Sequence, residues 1–211
     1  MKLHINQKIF FLLRKFYVFY NFYFIKKNNL NYYKPENSYE QNEKVYSKKF
    51  SRALHDVWIY MLKLLINMFL KERRANNYNF IDIGCGNGLP LIYAYKYYNF
   101  NSYEGIDLFK KSIIRSKINI KKSNCNNITI TQEDASKYLL DDKRYFIFMF
   151  NPFAGEIMNK FLTNNIDIIR KNNSVIAYIN QISSNEVKII SKFSFKKLIK
   201  NEFLGMSLFF Y

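Results

Sequence analysis

"FIDIGCGNGLP", residues 80–90, decides the fold of this 211-residue chain. Phe80 to Ile83 is a short apolar run broken by one acid, Asp82, and Gly84, Gly86 and Gly88 follow directly behind it. Such a run passing into bare backbone reads as a buried strand turning into a helix beside a ligand, because glycine accepts positive φ and has no Cβ to hold a ligand away. The spacing disfavours two ligand classes. A dinucleotide loop, Gly-x-Gly-x-x-Gly, needs a glycine at position 89, where Leu89 stands; a phosphate loop carries Gly-Lys-Ser/Thr, and here Leu89 and Pro90 follow Gly88. The order Asp82-x-Gly84-x-Gly86-x-Gly88 instead sets an acid ahead of the first glycine, which suits a cationic ligand better than a pyrophosphate.

Outward from this loop, strand and helix alternate. "FIDIG" is a buried strand and Leu89 to Tyr98 a helix; "SYEGIDL" is a strand, and Phe109 to Lys121 a helix with Ile113, Ile114 and Ile118 spaced for one face. "NITITQED" reads as a third strand, with a short turn of helix through "ASKYLL". "YFIFMF" is an all-apolar strand of the kind found centrally in a parallel sheet. Glu156 to Arg170 is a helix with Ile157, Phe161, Ile166 and Ile169 inward, and "SVIAYIN" is a fifth strand. After a short helix at Glu186 to Ile190, "FSFKKLIK" and "MSLFFY" follow too closely for a parallel crossover, so they pair antiparallel around a turn carrying Gly205. The expected fold is α/β: a doubly wound, mostly parallel seven-stranded sheet with a terminal antiparallel hairpin, preceded by an N-terminal helical extension. The expected divisions are a basic aromatic helix over 1–30, a linker and packing helix over 31–75, and a ligand-binding domain over 76–211.

In a doubly wound sheet the ligand lies beyond the carboxyl ends of the strands, beside the first one, where Asp82 to Gly88 sits. The loop resembles motif I of the class I S-adenosylmethionine-dependent methyltransferases, and the strand order with its terminal hairpin is similar to theirs. The resemblance implies a bound S-adenosylmethionine touching Asp82, Gly84, Cys85, Gly86, Asn87 and Gly88. It places Asp82 toward the methionyl ammonium and Asp107, in "YEGIDL", on the ribose hydroxyls. Leu108 and Phe109 would cover the adenine face, and Asp134 and Ala135, in "QEDAS", would meet the adenine amino group and ring edge. An acid at a strand end is often only a helix cap, but three at consecutive strand ends behind this loop form a pattern.

The family places catalytic residues at the carboxyl end of the fourth strand, here "FMFNPFAGE". Asn151 can accept a hydrogen bond from an attacking amine or hydroxyl, Pro152 stiffens the turn, and Phe153 can stack on or wall off the acceptor. The tripeptide resembles a shortened [Asp/Asn/Ser]-Pro-Pro-[aromatic] signature of amino-group methylating nucleic-acid enzymes, with one proline missing. It is also imperfectly similar to the Asn-Asn-Phe of non-SET histone lysine methyltransferases. The reading is an enzyme acting on an N or O nucleophile, with an RNA base and a protein lysine among the open acceptors, beside a glycan or lipid-linked group. Asn151 contacting only the cofactor, an inactive methyltransferase-fold binding subunit, and a nicotinamide-dependent oxidoreductase stand as alternatives. Leu89 disfavours the last.

Lysine and arginine exceed acids by 33 to 16, a net charge of +17, which implies attraction to nucleic acid, anionic lipid or acidic protein surfaces. Asn, Ile, Phe, Tyr and Lys are abundant throughout, as an A/T-rich coding sequence would give, so single lysines and aromatics carry little information. No inserted nucleic-acid-binding module is legible. Two cysteines, Cys85 and Cys125, suggest no disulfide framework and a reducing, cytoplasmic setting; His4 and His55 lack partners at metal-ligand spacing.

Residues 3–25, "LHINQKIFFLLRKFYVFYNFYFI", invite a membrane reading. About a dozen apolar residues favour insertion by roughly 3 to 7 kcal/mol, and Arg14 and Lys15 oppose it by about 2.5 to 3.5 kcal/mol each, so spanning is close to balanced. Helical phasing instead sets Ile5, Ile9, Leu12, Phe16, Phe19, Tyr20 and Tyr23 on one stripe, with Gln7, Lys8, Arg14, Lys15, Asn21 and Lys26 opposite. Such a helix can lie peripherally on an anionic membrane surface through residues 1–27, or pack on the protein itself or on a second subunit. The stretch 26–44 reads as a linker or substrate-side loop, and from Tyr46 a second helical stripe runs through Phe50, Ala53, Leu54, Val57, Trp58, Met61, Leu64, Leu65, Met68 and Phe69, assigned to packing on the sheet.

Overall fold

The computed structural model describes residues 16–32, 58–179 and 185–211. Helix α1 occupies 16–27. In chain order there follow α2 (Ile59–Leu70), β1 (Asn79–Ile83), α3 (Leu89–Tyr97), β2 (Tyr103–Asp107), α4 (Lys110–Lys122) and β3 (Ile128–Gln132). Then come β4 (Tyr145–Phe150), α5 (Gly155–Lys171), β5 (Val175–Ile179), α6 (Asn185–Ser191), β6 (Lys197–Asn201) and β7 (Met206–Phe210). The strands form one sheet in the order β3-β2-β1-β4-β5-β7-β6. β1 pairs parallel with β2 and β4, and β7 inserts antiparallel between β5 and β6, so the expected seven-stranded doubly wound sheet with a terminal hairpin is the observed one. The order reverses between β1 and β4, which opens a crevice at their carboxyl ends.

Period-two alternation sorts the central strands onto two cores. Phe80, Phe146 and Phe148 meet Phe69 of α2 and Leu91 of α3 on one face. Ile81, Ile83, Ile147 and Met149 meet Ile157, Phe161 and Ile169 of α5 on the other. Phe146 stands 4.8 Å from the Phe69 ring, edge to face, and 5.6 Å from the Phe80 ring, stacked. Aromatic pairs in these arrangements add about 0.5 to 1.5 kcal/mol beyond their area burial.

Three helices are phased differently from their sequence periodicity. The inward face of α4 is Ser112, Ile113, Ser116, Asn119 and Ile120, whereas Ile114 and Ile118 are 50% and 40% exposed. Small and polar side chains face inward there because α4 packs against the glycine loop: a Cβ at Gly88 would lie 3.1 Å from the Ser116 Cβ. In α2 the buried residues are Ile59, Met61, Leu62, Leu65, Ile66 and Phe69, while Leu64 and Met68 of the expected stripe are half-buried. In α1 the body-facing residues are Tyr17, Asn21, Phe24 and Ile25, and Phe16, Phe19 and Tyr23 face out. The short turn of helix expected in "ASKYLL" is a single turn at 135–137, closed by Lys137 and Tyr138 N–H groups donating to the Asp134 carbonyl. The expectations for residues 1–15, most of the linker and the start of the second stripe fall outside the described residues.

Segment 16–32 is bonded to the body. Asn21 Oδ1 accepts the Ile59 N–H at 2.8 Å, satisfying a donor at the start of α2 that helix geometry leaves open. Tyr17 stacks on Tyr60 at 5.6 Å, and Phe24 meets Tyr93 edge-on at 5.4 Å. Among the described residues no helix is long and apolar enough to cross a membrane.

Candidate functional site

Asp82 and Asp107 sit side by side near the tips of β1 and β2, since Asp82 is in register with Gly105 and Ile83 with Ile106. The loop after β1 turns back at once: Gly84 and Cys85 N–H both donate to the Ile106 carbonyl at 2.9 Å. Gly84 has φ of 82° and Gly88 of 79°, values that side chains with a Cβ resist. A Cβ on Gly84 would also stand 2.5 Å from the Cβ of Pro152. The first and third glycines thus serve the left-handed turn and close packing by Pro152 and Ser116, a use of bare backbone beyond ligand approach.

Asp107 organises the loop. Its Oδ2 accepts the Gly86 N–H and its Oδ1 the Phe109 N–H, both at 2.9 Å. Burial raises the carboxyl's pKa, while those two donors and Ser112 pull it back down. Asp82, 2% exposed, is differently placed: its Oδ2 is buried with no hydrogen-bond partner. Burial first, then the Asp107 carboxylate, pushes its pKa well above the usual carboxylate range. Two acids held together behind a glycine turn make a niche that repels a phosphate and favours a cation.

The other expected cofactor contacts are disposed around these two. Cys85 is buried with its thiol pKa pushed well up, by burial and then by Asp107 and Asp82, so it is an inert core side chain. Asn87 is buried, and its carbonyl accepts the Asn119 Nδ2–H at 3.1 Å. Leu108 and Phe109 are half-buried beyond β2. Asp134 Oδ1 accepts from the N–H of Ser136 at 2.9 Å and its hydroxyl at 2.7 Å, so this acid caps its own turn; Ala135 is half-buried beside it.

At the end of β4, Asn151 takes a left-handed φ of 45°. Its Oδ1 accepts the Tyr178 hydroxyl at 3.1 Å. That oxygen, expected to accept a hydrogen bond from the attacking group, already holds one donor, leaving one lone pair. Phe153, expected to stack on or wall off an acceptor, is 5% exposed and lies in the apolar core beside α5. With Pro152 packed against Gly84, the turn carries the following ring inward. No group of His, Cys, Asp and Glu among the described residues is placed to hold a metal.

Three positioning residues had no legible signal. Asn119 of α4, fully buried, accepts the Asn31 N–H on Oδ1 at 2.8 Å while donating to Asn87, so one amide ties segment 16–32 to the glycine loop. Asn165 of α5 accepts the Leu140 N–H at 2.7 Å and donates to the Tyr138 carbonyl at 2.8 Å, fixing the loop that carries Asp134. Tyr178 meets Asn151 because β5 lies beside β4, Met149 in register with Tyr178. Helical periodicity scores such asparagines as outward, and only the sheet register reveals the tyrosine.

The sequence matches the family model described as "Methyltransferase domain" over residues 74–203. No curated protein matches it. Among solved structures, a SAM-dependent methyltransferase from Aquifex aeolicus superposes with a TM-score of 0.53 at 16% identity, covering 74% of this chain and 98% of that one. An RNA methyltransferase from Salinibacter ruber, in complex with S-adenosyl-L-homocysteine, gives 0.51 at 11% identity over 72% and 89%. The chain spans 51% of the length of the YcgJ protein from Bacillus subtilis, with a TM-score of 0.48 and 17% identity over 59% of this chain. The Aquifex and Salinibacter structures share the fold with this chain; the family model, covering more than half of the chain, shows that it belongs to the methyltransferase-domain family.

Proposed function

We propose that the chain binds S-adenosylmethionine at the tips of β1 and β2 and moves its methyl group to a nitrogen or oxygen nucleophile held at the Asn151 turn. The observation that carries this reading is the buried, unpartnered Oδ2 of Asp82 beside Asp107. A buried carboxyl with an unpartnered oxygen is costly, and a cationic ligand offsets that cost. The methionyl ammonium is such a cation, whereas the pyrophosphate of a nicotinamide dinucleotide would meet two like charges. When bound, the cofactor supplies an electrophilic methyl on a sulfonium.

The protein's part is then to hold, align and dry the reactants. Asp82 and the backbone of Gly84, Cys85, Gly86, Asn87 and Gly88 hold the amino-acid end. Asp107 holds the ribose, with Leu108 covering the base and Asp134 and Ala135 at its edge. The second lone pair of Asn151 Oδ1 accepts the N–H or O–H of the attacking group, and the Tyr178 hydroxyl fixes the amide's orientation. Phe153 anchors the turn from the core side. A dedicated base is not required for an amine acceptor.

Radiolabelled S-adenosylmethionine, incubated with the chain and cell-extract fractions divided into nucleic acid, protein, and lipid or glycan, tests this. Label should enter one fraction and fall at least tenfold with Asn151→Ala. Cofactor binding without transfer to any fraction would replace the enzyme with a binding subunit.

A further inference from the structure

Helix α1 has two faces, and the body uses mainly one. Tyr17, Asn21, Phe24 and Ile25 are buried against α2 and α3, while Phe16, Val18, Phe19, Phe22 and Tyr23 are 49%, 54%, 70%, 58% and 54% exposed, Phe16 at the border of the arc with its ring edge-on to Tyr60 at 5.3 Å. At 100° per residue these five fall on one continuous outward arc, the side opposite the docked residues. Lys26 and Lys27 extend the same arc at the helix's carboxyl end, both exposed, with Lys27 Nζ 5.9 Å from the Tyr23 ring centroid. No acid interrupts this chemistry: the first acidic residue of the sequence is Glu36.

Five large apolar side chains displayed together by a helix that is already docked form a surface built for a partner. We propose that this face of α1 seats the protein on an anionic lipid bilayer, with the aromatic arc in the headgroup and acyl boundary and the lysines against the phosphates. The residues suit that occupant: aromatic rings favour the membrane interface, and lysines near it gain from anionic lipid. Charge argues against a second copy, because a symmetric contact through this face would bring two +17 chains together. Nucleic acid would match the lysines, yet four of the five side chains in the arc are phenylalanine or valine, with no hydrogen-bond donor for phosphate or base edge. Phe19 and Tyr23 of the sequence stripe are therefore apolar as phased, but they face away from the protein. This inference does not depend on methyl transfer.

The test is flotation of the full chain with phosphatidylcholine vesicles containing about a third phosphatidylglycerol, compared with a Phe19→Gln, Phe22→Gln variant. Both side chains face solvent, so thermal unfolding of the two proteins should coincide. The proposal expects the wild type to float, at least tenfold less flotation for the variant, and weakening of wild-type binding with added salt. Equal partition of the two proteins overturns it. So does loss of binding to an RNA homopolymer with vesicle binding unchanged, or a lipid-free dimer that the substitutions convert to monomer.

Discussion

Asp82→Asn should stabilise the free protein and weaken the cofactor complex, and the two opposite signs separate a ligand-binding acid from a structural one. In the free chain the carboxylate is 2% exposed with an unpartnered oxygen next to Asp107. An amide of the same shape removes the buried charge. The gain is the cost of ionising the buried carboxyl, about 1.4 kcal/mol for each tenfold weakening of the acid on folding, and each kcal/mol is roughly 2 to 4 °C in Tm in a chain of this size. The pH dependence has a fixed sign. Because burial and Asp107 raise the folded-state pKa, the stability this group contributes is full below its unfolded value of about 3.9 and is lost as pH rises through the folded value. The advantage of the variant should thus be small in acid and grow as pH rises. Binding goes the other way: a charge-assisted contact to an ammonium is worth about 1.5 to 3 kcal/mol, so affinity should fall roughly 10- to 150-fold. Wild-type affinity should rise with pH as Asp82 ionises, and the variant's should not. Thermal unfolding from pH 4 to 8 with isothermal calorimetry on both proteins measures each quantity. A destabilised variant with unchanged affinity would refute the reasoning and make Asp82 a structural acid.

Asp107→Ala removes the acceptor for the Gly86 and Phe109 N–H groups and the proposed ribose contacts, so calorimetry should show cofactor affinity reduced tenfold or more. Unchanged affinity in a folded variant would leave Asp107 as a cap. Asn151→Ala should lower kcat more than it raises the KM for S-adenosylmethionine in steady-state kinetics, because the residue is assigned to the acceptor; the reverse split would move it to the cofactor. Asn119→Ala removes the acceptor of the Asn31 N–H and the donor to the Asn87 carbonyl, and should cost about 2 to 4 kcal/mol in denaturant unfolding while speeding amide exchange at Asn31.

The sheet was legible because its signals are local. "YFIFMF" is apolar at every position as a strand covered on both faces must be, and the acid-glycine run after Phe80 marks the turn at the crevice. Helix phase was less legible. Ile114 and Ile118 have apolar spacing but face solvent, because the loop behind α4 leaves room only for Ser116 and an amide at Asn119. Asn21, Asn119 and Asn165 are buried and hold other segments by their backbone groups, a role that depends on tertiary neighbours and that an asparagine-rich composition conceals. Phe153 followed the same logic, since an exposed aromatic and a core anchor look alike until the turn at Pro152 is placed.

Calorimetric titration of the full chain with S-adenosylmethionine, S-adenosylhomocysteine and a nicotinamide dinucleotide tests the central claim most directly. The account predicts saturable binding of both sulfur nucleosides, weakened by Asp82→Asn and by Asp107→Ala, and none of the dinucleotide. Binding of the dinucleotide alone, or of none of the three by the folded protein, would contradict it.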